Sequence, residues 1–457
     1  MTRHRRTAPS RRDFLRWSAG GAASAGAFGA LSSANLLHAA AQATPTYRAL
    51  VVVYLAGGND SHNLVVPTST TEYAEYLDSR QNIAIAQNEL LPINPTTPDG
   101  KTYGIHPAAP EIRSLFEDGK LAILANVGNL IAPVSKAEYD ADSKPVPPRL
   151  FSHNDQTQQS MRVAADGAAT LGWAGAFSDR VVGLNGVTPL SPSVTLSGST
   201  AILAGQTTQQ YHLGSNGSVS LSGFNGNTGA AQRATFDLLR AQSQPHLLQQ
   251  QYQRMRNESI ELDDLLSGVL DAAPALTTTF PDESSFADRM AMVAKMIQVR
   301  SSLGMERQVF YVKKGGFDTH AGQLTEQPEL FADVSATLAA FQAAMEEMNT
   351  ANEVTVAVIS EFGRTLSSNG QGTDHGWGGH FMVMGGSVVG RDIYGTMPSL
   401  ALDGPDDSGN KGRIIPTQSM EQVAATLGRW FGVNPGQLPT IFPNLGNFAS
   451  SDLGFLA

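Results

Sequence analysis

The chain has 457 residues with 31 basic and 41 acidic side chains, which gives a formal charge of −10. An acidic protein of this kind repels phosphate backbones, so nucleic acid is excluded as the main partner. The chain contains no cysteine, which also excludes disulfides, thiolate metal sites and thiol nucleophiles.

Residues 1–43 are expected to be a signal peptide. Arginines crowd the start, an apolar segment rich in Ala and Gly follows, and Ala41-Gln42-Ala43 supplies the small residues of a cleavage site. The pair Arg11-Arg12 is the signature of twin-arginine export. The apolar segment is too rich in Gly, Ala and Ser to favour a membrane anchor. Cleavage leaves 25 basic and 40 acidic residues, a formal charge of −15.

The expected location is therefore the periplasm or another extracytoplasmic space. The twin-arginine translocase is the expected partner during export. No stable membrane span is expected after cleavage.

Residues 44–457 are expected to form a single α/β domain. Apolar runs closed by glycine or serine predict buried strands at 47–55, 121–127, 308–312, 354–359 and 381–384. Apolar residues at helical spacing predict helices at 107–117, 231–271, 286–297, 331–348 and 419–431. Residues 189–231 are rich in Ser, Gly, Asn and Thr, and they predict a β-rich or loop insertion outside the core.

Three of these strands lead into short turns that each carry an acid. The acids are Asp60, Asp318 and Glu361, and histidines follow at His320, His375 and His380. Because the carboxyl ends of parallel strands meet at one edge of a sheet, we expect these side chains to converge. Mixed oxygen and nitrogen ligands suit one or two ions of zinc, manganese or magnesium. The alternative is that each acid caps a helix and each histidine is an ordinary loop residue.

Two further polar groups belong to the same expectation. Arg364 adds a guanidinium to the loop after Glu361. The segment from Leu150 to Gln156 leads into a polar helix that Ser152 or Asn154 is placed to cap. The backbone N–H groups at the start of such a helix can hold an anion.

Five motifs, together with the segment from Arg413 to Thr417 before the last helix, span nearly the whole chain after the signal. They are Gly57-Gly58-Asn59-Asp60, Leu150-Phe151-Ser152-His153, Gly315-Gly316-Phe317-Asp318-Thr319-His320, Ser360-Glu361-Phe362-Gly363-Arg364 and Asp374-His375-Gly376. Together they resemble an uncharacterised family of twin-arginine-exported bacterial proteins, grouped with the alkaline phosphatase and sulfatase superfamily. The resemblance implies a three-layer, alkaline-phosphatase-like α/β fold, with a central mostly parallel sheet and helices on both faces.

The resemblance also implies metal ligands. Asp60 corresponds to the metal carboxylate after the first strand, and Asp318 with His320 to an Asp-then-His pair, here more closely spaced. Glu361 takes the place of an acid that normally precedes a ligand histidine, but Phe362 follows it. An imidazole for a second metal must then come from His375, His380 or His153, or be absent.

The resemblance leaves two candidate nucleophiles. Phosphatases of the superfamily place a hydroxyl at a helix start, which Ser152 fits better than Ser61. Neither serine is followed by the Pro-x-Arg element of sulfatases, so a conventional sulfatase is not expected. His153 and Arg364 are expected to contribute to catalysis. Asn63 and Asn154 are expected either to bind substrate oxygens or simply to cap helices.

The sequence therefore predicts an exported metal-dependent hydrolase of phosphate esters, with sulfate esters as the less favoured substrate class. Its substrate would be a small-molecule or polymer-linked ester. The alternative is a non-catalytic exported binding protein that keeps the metal edge for structure or for ligand capture.

Overall fold

The protein is built around a nine-stranded sheet, and the first strand of this sheet is the first apolar run after the expected signal peptide. The computed structural model describes residues 47–162, 164–165, 169–217, 228–242 and 244–457, and the expected signal peptide at 1–43 lies outside them. The strands are β1 Arg48–Leu55, β2 Val65–Pro67, β3 Leu91–Ile93, β4 Tyr103–Ile105, β5 Leu121–Gly128, β6 Ser193–Thr195, β7 Tyr211–His212, β8 Arg307–Lys314, β9 Val354–Ile359, β10 Arg364–Ser368, β11 Thr373–His375, β12 Gly379–Met384, β13 Ile393–Tyr394 and β14 Gln418–Ser419.

The central sheet is mostly parallel, as the sequence predicted. Its order is β13-β5-β12-β9-β1-β8-β6-β7, with β14 also beside β5. Only β12 runs antiparallel to its two neighbours, β5 and β9. Strands β2, β4 and β3 form a small second sheet, and β10 pairs with β11 in a third. The three predicted acid-bearing turns follow β1, β8 and β9, which lie side by side in the sheet.

Twelve helices lie in the described ranges. They are α1 Ser61–Leu64, α2 Thr70–Arg80, α3 Pro110–Glu117, α4 Lys136–Asp140, α5 His153–Met161, α6 Trp173–Val181, α7 Gly229–Arg240, α8 Leu247–Asp271, α9 Ser285–Gln298, α10 Gln323–Glu347, α11 Met420–Phe431 and α12 Leu438–Ile441. The helix predicted over 231–271 is two helices. Pro245 explains the break, because it lacks an N–H group and disfavours a helical residue before it.

Both faces of the sheet are covered by helices. Along β1, Val51 and Val53 face a core that includes Ile112 of α3 and Phe341 of α10. The alternate residues of β1 face a second core with α6 and α11. Successive side chains of a strand point to opposite faces, so a strand that is apolar throughout must be buried on both. The three-layer α/β architecture predicted from the sequence is confirmed.

The segment 189–231 contributes to the sheet as well as to loops. Within it, β6 pairs with β8 and with β7, and Val194 lies fully buried in the core. Residues 218–227 of the segment lie outside the described ranges. None of the described helices combines the length and the apolar character required to cross a bilayer.

Candidate metal centre

The three strand ends meet around Gly57. Its N–H donates to Glu361 Oε1 at 2.8 Å, and its carbonyl accepts from Arg364 Nη1 at 2.8 Å. Gly57 has a φ of +122°, and a Cβ at this position would lie 2.3 Å from the backbone nitrogen of Asp318. Only glycine allows so close an approach, which brings the loops after β1, β8 and β9 into direct contact.

Three histidines converge on one oxygen atom, Oδ1 of Asp318. The Nε2 atoms of His153 and His375 each lie 3.3 Å from it, and that of His320 lies 3.1 Å from it. The Nε2 atoms of His320 and His375 are 2.9 Å apart. His153 is the first residue of α5, His320 follows β8 and His375 ends β11, so three separate parts of the fold supply the rings.

The other ring nitrogen of each histidine faces an acceptor. Nδ1 of His375 donates to the carbonyl of Phe151 at 2.9 Å. Nδ1 of His153 lies 3.1 Å from Glu361 Oε1, and Nδ1 of His320 lies 3.2 Å from Asp374 Oδ1. A carbonyl or carboxylate at Nδ1 places the ring proton there, so the Nε2 lone pair of each neutral ring points at Asp318.

The Nε2 lone pairs of the three rings and the carboxylate oxygen of Asp318 repel one another unless a cation lies between them. His153, Asp318 and His375 are the group in the described part of the chain whose ligand atoms all lie within 4.8 Å of one another. A tetrahedral zinc ion with bonds of about 2.0–2.2 Å has ligand atoms about 3.3–3.6 Å apart. The observed separations from Asp318 are therefore close to those of a zinc site, and the donor set of imidazole and carboxylate suits that metal.

The surroundings adjust the basicity of these groups. The hydrogen bond to Glu361 raises the pKa of His153, and the charge of Asp318 adds to this against the effect of burial. Burial lowers the pKa of His375. Burial works to raise the pKa of Asp318, but the hydrogen bond and charge of Arg364 outweigh it and the pKa is lowered. The carboxyl group of Asp318 is thus ionised at neutral pH, the form that can bind a metal ion.

Arg364 holds this carboxylate in place. Its side chain is fully buried, and Nη1 donates to Asp318 Oδ1 at 2.9 Å. Nε donates to Thr373 Oγ1 at 2.9 Å, and Nη2 donates to the carbonyl of the same residue. All three guanidinium nitrogens are therefore engaged by the protein, which places Arg364 as a positioning residue.

Phe362 forms an apolar wall beside the histidines. Its buried ring lies 4.9 Å from the ring of His153 and 5.1 Å from that of His375, measured between centroids. The phenylalanine that replaces the expected ligand histidine after Glu361 therefore packs against two other imidazoles. Such a wall fixes the rings and lowers the local dielectric constant.

Glu361 orients a histidine. Oε1 accepts from Gly57 and contacts His153, while Oε2 accepts from Ser360 Oγ at 3.0 Å. The sequence assigned this acid directly to the metal, whereas its contacts place it behind His153. Glu361 and His153 form a carboxylate–histidine pair of the kind that supports metal ligands.

We expect Glu361→Gln to weaken zinc binding about 10–100-fold, because the neutral amide no longer favours the Nδ1-protonated form of His153. Competition with a chelator measures the affinity. Glu346→Gln is the control, since Glu346 is a surface acid paired with Lys120. An unchanged affinity in Glu361→Gln would show that this carboxylate does not support the site.

Asp60 lies in a separate buried network. Its Oδ2 accepts from Arg80 Nη2 in a fully buried ion pair and from Gln323 Nε2 at 2.6 Å. Its backbone carbonyl accepts from Gln327 Nε2 at 3.0 Å. Gln323 also links this network to Thr373, which contacts Arg364. Asp60 is not part of the group with His153, Asp318 and His375.

The structure places His380 outside the cluster too. Asn126 N–H donates to its Nδ1 at 3.1 Å, which places the ring proton on Nε2. Neither nitrogen of the neutral ring then offers a lone pair to a metal. Burial lowers the pKa of His380 well below its usual range. Its ring packs edge-on against His62, with centroids 4.9 Å apart. These contacts do not support the predicted ligand role of His380.

Asn63 is fully engaged inside the protein. Its amide donates to the carbonyl of Ile83 at 3.0 Å, and its Oδ1 accepts from Tyr76 at 2.8 Å and from Arg80 at 3.1 Å. The side chain is fully buried. By contrast, Asn154 is exposed in the first turn of α5. Asn63 therefore has no free polar atom with which to bind the substrate oxygens that the sequence assigned to it.

The two candidate nucleophiles both have other partners. Ser152 caps α5: its Oγ accepts from Asp155 N and donates to Asp155 Oδ2 at 2.6 Å. The hydrogen bond from Ser152 lowers the pKa of Asp155. Ser61 is buried, and its Oγ accepts from the backbone of His380 at 2.7 Å. Neither hydroxyl forms a hydrogen bond with the converging histidines in the described structure.

The sequence indicated the acids and histidines after the strands but missed several polar partners. Arg80 and Gln323 were not singled out, and Asp374 was named only within a motif and given no role, although each contacts a predicted site residue. A charged residue on the buried face of a helix is a detectable signal, and Arg80 in α2 gives it. For Asp374, the available signal was its position next to His375, which was already a predicted site residue.

A family described as "Protein of unknown function (DUF1501)" matches residues 47–415. The chain belongs to the DUF1501 family. A search of curated proteins gives no match. The matched span of this DUF1501 protein includes every residue of the cluster.

Solved structures with some similarity come from other proteins. The PsFucS1 sulfatase from Pseudoalteromonas sp. is 10% identical, with 88% of this chain and 71% of that chain covered and a TM-score of 0.33. The 2-O GAG sulfatase BT1596 is 9% identical, with 85% and 71% covered and a TM-score of 0.31. The C-terminal periplasmic domain of EcEptC from Escherichia coli, in complex with Zn, is 10% identical, with 74% and 73% covered and a TM-score of 0.27.

Proposed function

We propose that this DUF1501 protein is an exported, metal-dependent hydrolase of phosphate or sulfate esters. The observation that supports it is the convergence of three imidazole Nε2 atoms on Asp318 Oδ1, each ring held at Nδ1 by an acceptor. His153, Asp318 and His375 would hold the ion, with His320 beside them. The ester class follows from the resemblance of the sequence motifs, and export follows from Arg11-Arg12.

A divalent cation at this site would polarise an ester oxygen and lower the pKa of a water molecule that serves as the nucleophile. The residues of the chain supply the order that this chemistry requires. Arg364 fixes Asp318, while Glu361, Asp374 and the carbonyl of Phe151 fix the tautomers of the three rings. Pre-oriented ligands avoid the cost of reorganisation during the reaction.

We propose that the centre holds one divalent metal ion rather than two. At the position where the sequence resemblance places the metal carboxylate after the first strand, Asp60 is paired with the guanidinium of Arg80. A guanidinium already neutralises that carboxylate, and the group in the described part of the chain whose ligand atoms all lie within 4.8 Å of one another, His153, Asp318 and His375, is one set of ligands. We expect elemental analysis of the purified protein to give one zinc, manganese or magnesium ion per chain.

Water is proposed as the nucleophile instead of Ser152 or Ser61. We expect Ser152→Ala to retain most of the turnover and to lower the free energy of unfolding by about 1 kcal/mol, because it removes the cap of α5. Initial rates and thermal unfolding of the same preparation measure the two effects. Complete loss of turnover in a folded, metal-loaded Ser152→Ala would restore serine as the nucleophile.

The decisive experiment combines metal analysis with a panel of phosphate and sulfate esters. The expected result is a bound divalent ion and turnover of at least one ester that a chelator abolishes and added zinc restores. A metal-loaded protein that hydrolyses none of the esters would favour the alternative, an exported binding protein. A protein without metal after purification from an exporting host would contradict the centre itself.

A further inference from the structure

A second guanidinium, that of Arg413, lies against the metal centre. Its Nε donates to the backbone carbonyl of His375 at 3.2 Å, and its Cζ lies 4.2 Å from the centroid of the Phe151 ring. The carbonyl of Phe151 in turn accepts from His375 Nδ1. Arg413 therefore contacts both His375, a candidate metal ligand, and Phe151, the residue that orients the His375 ring.

Arg413 differs from the other arginines near the centre in having no carboxylate partner. Arg364 pairs with Asp318, and Arg149 pairs with Asp155 at 3.3 Å. In the part of the chain that the structure describes, no acidic side chain lies within ion-pair distance of Arg413, and its two Nη groups donate to no protein acceptor. The side chain is half-buried. A half-buried cation without a counter-ion favours an anionic ligand.

The backbone beneath Arg413 is strained. Phe151 has a φ of +71°, a region that bulky residues rarely adopt. This conformation directs its carbonyl to His375 while its ring lies under the guanidinium of Arg413. Strain of this kind persists where the surrounding structure enforces it, often at ligand sites.

We propose that Arg413 binds the anionic oxygens of the ligand at the metal centre, and that the ligand is a phosphate or sulfate group. The inference rests on the proposed metal centre and assigns the group that recognises the anion. The planar fork of a guanidinium offers two parallel N–H donors, which match two oxygens of a tetrahedral anion. Arg364, the arginine singled out in the sequence, has no donor nitrogen free for this role.

The test measures binding of inorganic phosphate and of inorganic sulfate to the zinc-loaded, full-length protein by calorimetry. We expect Arg413→Gln to weaken binding of the preferred anion at least about tenfold. Arg413→Lys keeps the charge but loses the fork, so its affinity should fall between the other two. Arg149→Gln is the matched control, because its guanidinium is exposed and already paired with an acid. Zinc content and the thermal unfolding midpoint are measured for every variant.

The outcomes separate this inference from the proposed function. Zinc-loaded Arg413→Gln with wild-type affinity for both anions overturns the role of Arg413 and leaves the metal centre intact. Zinc-loaded wild-type protein that binds neither anion also overturns it. Wild-type protein that takes up none of zinc, manganese and magnesium overturns the metal centre and the inference together. Equal losses in Arg413→Gln and Arg149→Gln would point to general electrostatics and contradict a specific contact.

Discussion

Asp318→Asn is expected to remove the metal. Oδ1 of this residue is the atom on which the Nε2 atoms of His153, His320 and His375 converge, and it contributes the negative charge of the ligand set. We expect the zinc affinity to fall by more than about 100-fold, beyond the loss expected when only the partner of a ligand is changed. Elemental analysis and competition with a chelator measure the loss, and ester turnover should disappear with it.

A second variant tests the same site without breaking a buried ion pair. Arg364 is fully buried and would lose the carboxylate of Asp318, so Asp318→Asn also leaves a charge without its partner. His375→Asn removes a ligand without disturbing that ion pair and should lose zinc as well. His212→Asn is the control, because His212 is exposed and belongs to the far edge of the sheet. Retention of one tightly bound zinc by both site variants would refute the assignment of the centre.

Asp60→Asn is expected to destabilise the protein by about 3–5 kcal/mol without removing the metal. Asp60 and Arg80 form a fully buried ion pair, and removing one partner leaves the other charge uncompensated. The free energy of unfolding from denaturant titration measures the effect, with metal content determined on the folded variant. Loss of zinc from folded Asp60→Asn would instead make Asp60 a ligand, as the sequence suggested.

A surface ion pair provides the comparison for this effect. Lys136 and Asp403 are 2.6 Å apart, but the carboxylate is largely exposed. We expect Asp403→Asn to cost no more than about 1 kcal/mol, because water already solvates the carboxylate and the Lys136 ammonium keeps its hydrogen bonds to the carbonyls of Asp403 and Gly409. Equal losses in the Asp60 and Asp403 variants would contradict the account of a buried pair.

The strands could be predicted because a strand buried on both faces must be apolar throughout. The central parts of β1, β8 and β9, residues 49–55, 309–312 and 356–359, are apolar or aromatic throughout and fully buried. The break between α7 and α8 was missed, although Pro245 marks it, because the Gln- and Leu-rich composition continues across it. Helical periodicity is a weak signal over a short interruption.

The candidate site could be predicted only in part. Asp318, His320 and His375 were predicted to be metal ligands from their positions after strands and in the loop that follows Glu361, and the structure brings them together. His153 was expected in catalysis or as one of three alternative imidazoles for a second metal. Its place in the cluster depends on how α5 packs against the sheet edge, and nothing local to the residue encodes that.

The sequence by itself determined the class of fold, the edge of the sheet where chemistry would lie, and the residue types available there, since apolar runs and strand-end turns are local patterns. Tertiary structure alone decided which polar groups belong together. Asp60 pairs with Arg80 and His380 accepts from Asn126, so neither joins the histidines around Asp318. Partners of this kind are 20 and 254 residues apart in the chain. A buried charge or imidazole takes its role from the partner that satisfies it, and that partner is fixed only when the chain is packed.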